Sequence, residues 1–172
     1  HGASALTGRP RLARLVGGDG DVVSAPAPAP LSLSAGVPFV LTVHDLSWEE
    51  RPRDFTAYER LWHRVASPQR LARRAARVIA VSSSTRERAI ARWALDPERV
   101  VVVHSGPGRP PSPPGRAVAL PPLPTRYFLF VGALEPRKGI DVLASAFADA
   151  GARGLDADLV VGGEGRLAAA LR

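Results

Sequence analysis

The segment Gly132-Ala133-Leu134-Glu135-Pro136-Arg137-Lys138-Gly139 carries the clearest chemistry in the chain. It follows an apolar run, Tyr127 to Val131, and precedes a helical pattern. Gly132 lets backbone approach a ligand closely. Arg137 and Lys138 stand just ahead of a helix start, where free N–H groups and the helix dipole favour an anion. Arginine offers a planar fork and lysine a mobile point charge, so the pair suits a diphosphate. A solvated basic turn has the same composition, and the residues alone leave both readings open. The loop lacks the Gly-Lys-Ser/Thr of a Walker A motif and does not spell Gly-x-Gly-x-x-Gly. Lys138 is also the only lysine among 23 basic residues, a bias that invites a chemical reason for its place.

Three other places could do chemistry. His44-Asp45 directly follows the apolar run Val37 to Val43, where polar groups are costly unless bonded or used. His44 can donate to a sugar hydroxyl or act on a proton; alternatively Asp45 caps the next turn and His44 is satisfied in the wall. Gly162-Gly163-Glu164-Gly165 follows another apolar run and reads as a tight turn before it reads as a phosphate cradle. Asp156-Ala157-Asp158 spells an Asp-x-Asp metal motif but precedes its strand, at the end opposite a ligand crevice. His1, His63 and His104 lack metal-ligand spacing, so no metal ligand is assigned.

These segments need elements to hold them. Short strands are expected at Val22 to Ala25, Val37 to Val43, Arg77 to Val81, Arg99 to Val103, Tyr127 to Val131 and Leu159 to Val161. The unbroken apolar run at 37–43 suggests a strand buried on both faces. A helix capped by Asp54 would carry Phe55, Tyr58, Leu61, Trp62 and Val65 on one stripe. Ser67-Pro68 opens a second helix to about Ala76, and Ser84-Thr85-Arg86-Glu87 has the form of a capping box for a third, ending near Trp93. Ile140 to Ala150 is a fourth, and a further helix is expected from about Glu164. Strand and helix alternate, which predicts parallel sheets with crossover helices. In such sheets ligands lie beyond the carboxyl ends of the strands, where His44-Asp45 and the segments 132–139 and 162–165 fall, and Asp156-Ala157-Asp158 does not.

Residues 105–126 hold 8 of the 17 prolines and no strand or helix pattern. They read as a semi-rigid linker between domain 1–104 and domain 127–172. The second part has too few elements to close a core alone, and the chain is expected to be cut at both ends. There is no cysteine, which excludes a disulfide scaffold and a thiolate metal site and fits a cytoplasmic home. No run of 18 apolar residues spans a membrane. The net charge of +7 favours acidic partners: nucleic acid, anionic lipid or phosphorylated small molecules. No helix-turn-helix or RNP signature supports nucleic acid. The scattered arginines fit an anionic membrane surface better.

RVIAVSSSTRERAI with LDPERVVVVHSGP, VPFVLTVHDLSWEERP, and YFLFVGALEPRKGIDVLASAFADA together resemble glycosyltransferase family 4, in the right order, from about Asp21 to Arg172. The resemblance implies a GT-B fold: two Rossmann-like parallel-sheet domains facing across a cleft, both incomplete in this chain. It implies a nucleotide-sugar donor held mainly by the second domain, a sugar or lipid-linked acceptor held mainly by the first, and retention of configuration without metal or other cofactor. By motif position Gly132, Arg137 and Lys138 would form the diphosphate site, Arg137 and Lys138 would be catalytic, and His44 would contact the transferred sugar. Many members have arginine where this chain has Ala133, and Arg137 would supply that charge. The Glu-Pro-Arg-Lys subgroup includes many mannosyltransferases, so mannose is the first expectation. The family's glycine-rich acceptor loop and paired-glutamate motif are absent, so this chain alone is expected to be inactive. A non-catalytic GT-B-like relic or truncated binding protein is the alternative.

Overall fold

A computed structural model describes residues 21–30, 37–108 and 121–171. The weakly patterned start, 1–20, and residues 109–120 of the proline-rich stretch lie outside them. The chain divides into two units, residues 1–107 and 108–172.

The first unit is built on four parallel strands in the order β1-β2-β3-β4: Val23–Ala25, Phe39–Val43, Arg77–Ala80 and Val100–Val102. Leu41 is paired with Ala25 on one side and Val78 on the other. Between β2 and β3 come α1 (Ser47–Glu50), α2 (Ala57–Ala66) and α3 (Pro68–Arg74); α4 (Ser83–Trp93) joins β3 to β4. One sheet face carries Phe39, Leu41, Val43, Val78 and Ala80 into a core with Leu71 and Ala72 of α3 and Ala89 and Trp93 of α4. On the other face Val40, Thr42 and Ile79 are only half-buried. The expectation of a strand buried on both faces is therefore corrected: within the described residues β2 is fully covered on one face.

Local chemistry moves two of the expected helix starts and keeps the third, at Ser67-Pro68. Asp54 lies in a 3-10 turn, Pro52–Asp54, and pairs with Arg51 at 3.8 Å. The cap of α2 is Thr56, whose extended backbone lets it trade bonds with Glu59: Glu59 N donates to its hydroxyl at 3.2 Å, and its own N–H donates to the Glu59 carboxylate at 2.7 Å. Ser67 makes no cap through its side chain; it sits in the left-handed region and donates its hydroxyl to Arg64 O at 2.9 Å, closing α2. Proline then opens α3 at the position that needs no N–H. The cap of α4 is Ser82 rather than Ser84, because Ser82 has the extended backbone that a cap requires and accepts from Thr85 N at 3.1 Å.

The expected apolar stripe of α2 is present but points outward. Tyr58, Leu61 and Val65 are exposed, and none joins the core. His63 and Ala66, on the other side of the helix, face the protein: His63 is half-buried and Ala66 buried.

The second unit has two parallel strands, β5 (Tyr127–Val131) and β6 (Asp158–Gly162), joined by α5 (Ile140–Ala152). After β6 the chain makes turns through residue 171, not the helix expected from Glu164. These turns are tied back to the β5 loop: Arg166 N donates to the Glu135 carboxylate at 3.1 Å and Leu167 N to Leu134 O at 3.0 Å.

Candidate functional site

In the second unit the loop after β5 is a short, braced turn. Gly132 N donates to Gly162 O at 3.0 Å and Leu134 N to Glu164 O at 2.8 Å, so pairing runs on past the strands. Leu134 and Ile140 are buried and pin the two ends of the segment between them. Pro136–Lys138 forms a 3-10 turn, closed by Lys138 N donating to Glu135 O at 2.9 Å. Gly139 follows with φ +67°, a conformation that costs glycine little, and α5 begins at the next residue without a capping side chain. Arg137 is half-buried and Lys138 exposed. Neither side chain has a hydrogen-bond or ion-pair partner among the described residues. Two cations thus stand before the uncapped start of a 13-residue helix, with Asp141 in its first turn.

Two features of this turn were not legible in sequence. The Glu135 carboxylate accepts from Arg166 twice, from its backbone N–H and from Nε at 2.6 Å, which ties the β5 loop to the β6 loop. The glycines after β6 are there for close approach. A Cβ on Gly163 would lie 1.9 Å from Gly132 O, and one on Gly165 would lie 2.5 Å from Leu134 O. Only glycine lets the two backbones lie this close. Asp156 pairs with Arg126 at 3.3 Å and Asp158 opens β6, at the end opposite the glycines.

In the first unit the polar groups collect where the strands end. His44 follows β2, is exposed, and its Nε2 lies 2.9 Å from Pro26 O, just past β1. Asp45 accepts from Ser47 N at 2.8 Å and from Ser47 Oγ at 2.6 Å, so it caps the turn into α1. Thr85 is the polar residue that sequence reasoning missed. It is buried, accepts from the Ser82 hydroxyl at 2.9 Å, and donates to His44 O at 3.3 Å. The start of α4 thereby holds the backbone of His44. No sequence signal marks it, because its partner His44 is 41 residues away in the chain. His104, after β4, sets Nδ1 3.2 Å from Val81 O.

A hollow of about 410 Å³ lies beside α2, lined by Trp48, Pro52, His63, Arg64, Gln69 and Arg70 among others. His63 stacks on Trp48 with ring centres 4.8 Å apart and meets Trp62 and Phe55 edge-on. Burial pushes its imidazole pKa below the usual value, against the opposing pull of the Asp45 and Glu59 carboxylates. Its Nδ1 is buried without a partner among the described residues.

The sequence profile of Glycosyltransferase Family 4 matches residues 2–107, more than half of the chain. The chain belongs to this family. The match covers the first unit, including His44 and Thr85; Gly132, Arg137 and Lys138 lie beyond it. No curated protein matches the chain. Membership assigns glycosyl transfer in general, with a nucleotide-sugar donor and an acceptor as the partners. Among the described residues no helix is long and apolar enough to cross a membrane.

Proposed function

We propose that this family 4 chain belongs to a retaining, metal-independent enzyme of GT-B architecture. It would move a sugar, mannose first, from a nucleoside-diphosphate sugar to a sugar or lipid-linked acceptor in polysaccharide biosynthesis. The enzyme would work in the cytoplasm, in peripheral contact with an anionic membrane. The donor diphosphate lies against Gly132, Arg137 and Lys138, and the transferred sugar reaches His44. The acceptor is taken by the first unit, where the hollow beside Trp48 and His63 offers aromatic and basic walls.

One observation carries the reading. Arg137 and Lys138 stand without partners among the described residues, immediately before the uncapped start of α5, in a chain that belongs to this family. Transfer breaks the bond between the anomeric carbon and the diphosphate oxygen, and the electron pair leaves with the diphosphate. Groups already aimed at that growing charge stabilise the transition state more than the ground state. Glu135, held by Arg166, fixes the turn that presents them.

The test is donor hydrolysis and transfer by the full-length enzyme across a panel of nucleotide sugars, beside Lys138→Ala in that enzyme. Activity with one donor, lowered in the variant by on the order of 10²–10³, is expected. A loss of less than about threefold, well under one such donor's worth, removes Lys138 from the diphosphate site.

A further inference from the structure

Helix α2 is amphipathic with its apolar side turned away from the protein. Tyr58, Leu61 and Val65 are 74%, 58% and 39% exposed, and their i, i+3, i+7 spacing places them on one face. The side that meets the protein instead carries Ala66 and His63, the latter stacked on Trp48. Leaving three large side chains of one helix in water is a pattern that marks an interaction surface.

The charge around that face says what covers it. Between Glu59 and Glu87 there is no acidic residue, while seven arginines occur. Four of them are tied down by backbone carbonyls. Arg60 donates to Pro52 O and Phe55 O, Arg73 to Trp93 O, Arg77 to Ala76 O, and Arg86 to Val100 O. Arg64, Arg70 and Arg74 have no partner among the described residues. Arg64 follows Leu61 by one helical turn, and Arg70 and Arg74 share a small groove with Val65. The nearest acid on α2, Glu59, is turned onto the Thr56 cap.

We propose that the outward face of α2, with Arg64, Arg70 and Arg74, docks on an anionic lipid bilayer. Tyr58, Leu61 and Val65 enter the boundary between headgroups and acyl chains, and the arginines meet lipid phosphates. The arginines keep their charge at the headgroup level while their stems lie along the apolar surface. A second copy of the chain fits less well, because a two-fold contact through this face sets its arginines against one another. Nucleic acid offers the arginines a partner but leaves the apolar stripe nothing to bury against. The proposal deepens the peripheral membrane contact suggested above, and it places that contact on a named surface.

The experiment is co-sedimentation with vesicles, without donor sugar, so its result is independent of whether sugar transfer is found. The chain is expected to bind mixed phosphatidylcholine–phosphatidylglycerol vesicles and not pure phosphatidylcholine. Leu61→Glu should weaken binding on the order of tenfold or more, and Arg70→Glu by on the order of fivefold or more. Both residues are exposed, so the unfolding midpoint should not move. No binding to the mixed vesicles overturns the proposal, as does equal binding by Leu61→Glu. A lipid-free dimer that Leu61→Glu disperses assigns the face to a second copy instead. RNA binding lost in Arg70→Glu but kept in Leu61→Glu, with no vesicle binding, assigns it to nucleic acid.

Discussion

Strands β2 and β5 have similar composition, Phe-Val-Leu-Thr-Val against Tyr-Phe-Leu-Phe-Val, yet their surroundings differ. Leu41 and Val43 are 0% and 1% exposed, whereas Leu129 and Val131 are 60% and 75% exposed. In the first unit two helices lie over a four-stranded sheet, and a continuous core results. In the second, among the described residues, two strands and α5 bring only Leu134 and Ile140 to full burial, with Phe128 edge-on to Phe147 at 6.1 Å. Burial is a property of the layers around a strand as much as of its letters. The second unit is held instead by backbone: a ladder continued into the loops, two glycines and the Glu135–Arg166 tie.

That contrast predicts where substitutions hurt. Trp93→Ala should cost the first unit about 3–5 kcal/mol, since the indole is buried and donates Nε1–H to Glu49 at 2.9 Å. Leu129→Ala should change stability by about 0.5 kcal/mol or less. Hydrogen exchange read separately in each unit measures both. Equal costs would mean that β5 is covered after all.

The backbone packing of the second unit gives the next effect. Gly163→Ala forces a methyl against Gly132 O and should cost about 1–3 kcal/mol. Gly151→Ala, in α5 with open space around it, should be neutral or gain up to about 1 kcal/mol. Thermal unfolding of the two variants decides the matter. A neutral Gly163→Ala would show that the β5 and β6 loops do not need their close approach.

The smallest expected effect is a pH dependence in the first unit. Because burial lowers the His63 pKa, the folded state takes up a proton less readily than the unfolded chain, whose value is about 6.5. Its contribution is complete above that value. Stability should start to fall as pH drops below about 6.5, and this loss is complete once pH is under the lowered folded value. His63→Gln should flatten that part of the profile of unfolding midpoint against pH. An unchanged slope would place the proton elsewhere.

Strand positions and the parallel architecture were legible because apolar runs bounded by polar segments mark them: Tyr127–Val131 coincides with its expectation, and Phe39–Val43 lies inside its own. Helix ends were less so. Asp54 and Ser84 have good capping side chains, but the cap goes to the residue whose backbone is extended, Thr56 or Ser82. The stripe of α2 was legible and its direction was not, because periodicity says which residues share a face and nothing about which side that face turns to. In place of the helix expected at Glu164 there are turns held by long-range bonds to Glu135 and Leu134, some thirty residues earlier, which spacing does not reveal. At the candidate site the chain positions of Gly132, Arg137, Lys138 and His44 were readable. The bracing by Thr85, Glu135 and Arg166 depends on contacts that sequence spacing does not encode.

Lys138 is exposed and is the sole lysine of the chain. Apart from a terminal amine, it is therefore the one place where an amine-selective reagent can attach. A single acylation event becomes an address for the turn before α5. Slower labelling in the presence of a nucleoside diphosphate would mark occupancy there without any assay of turnover.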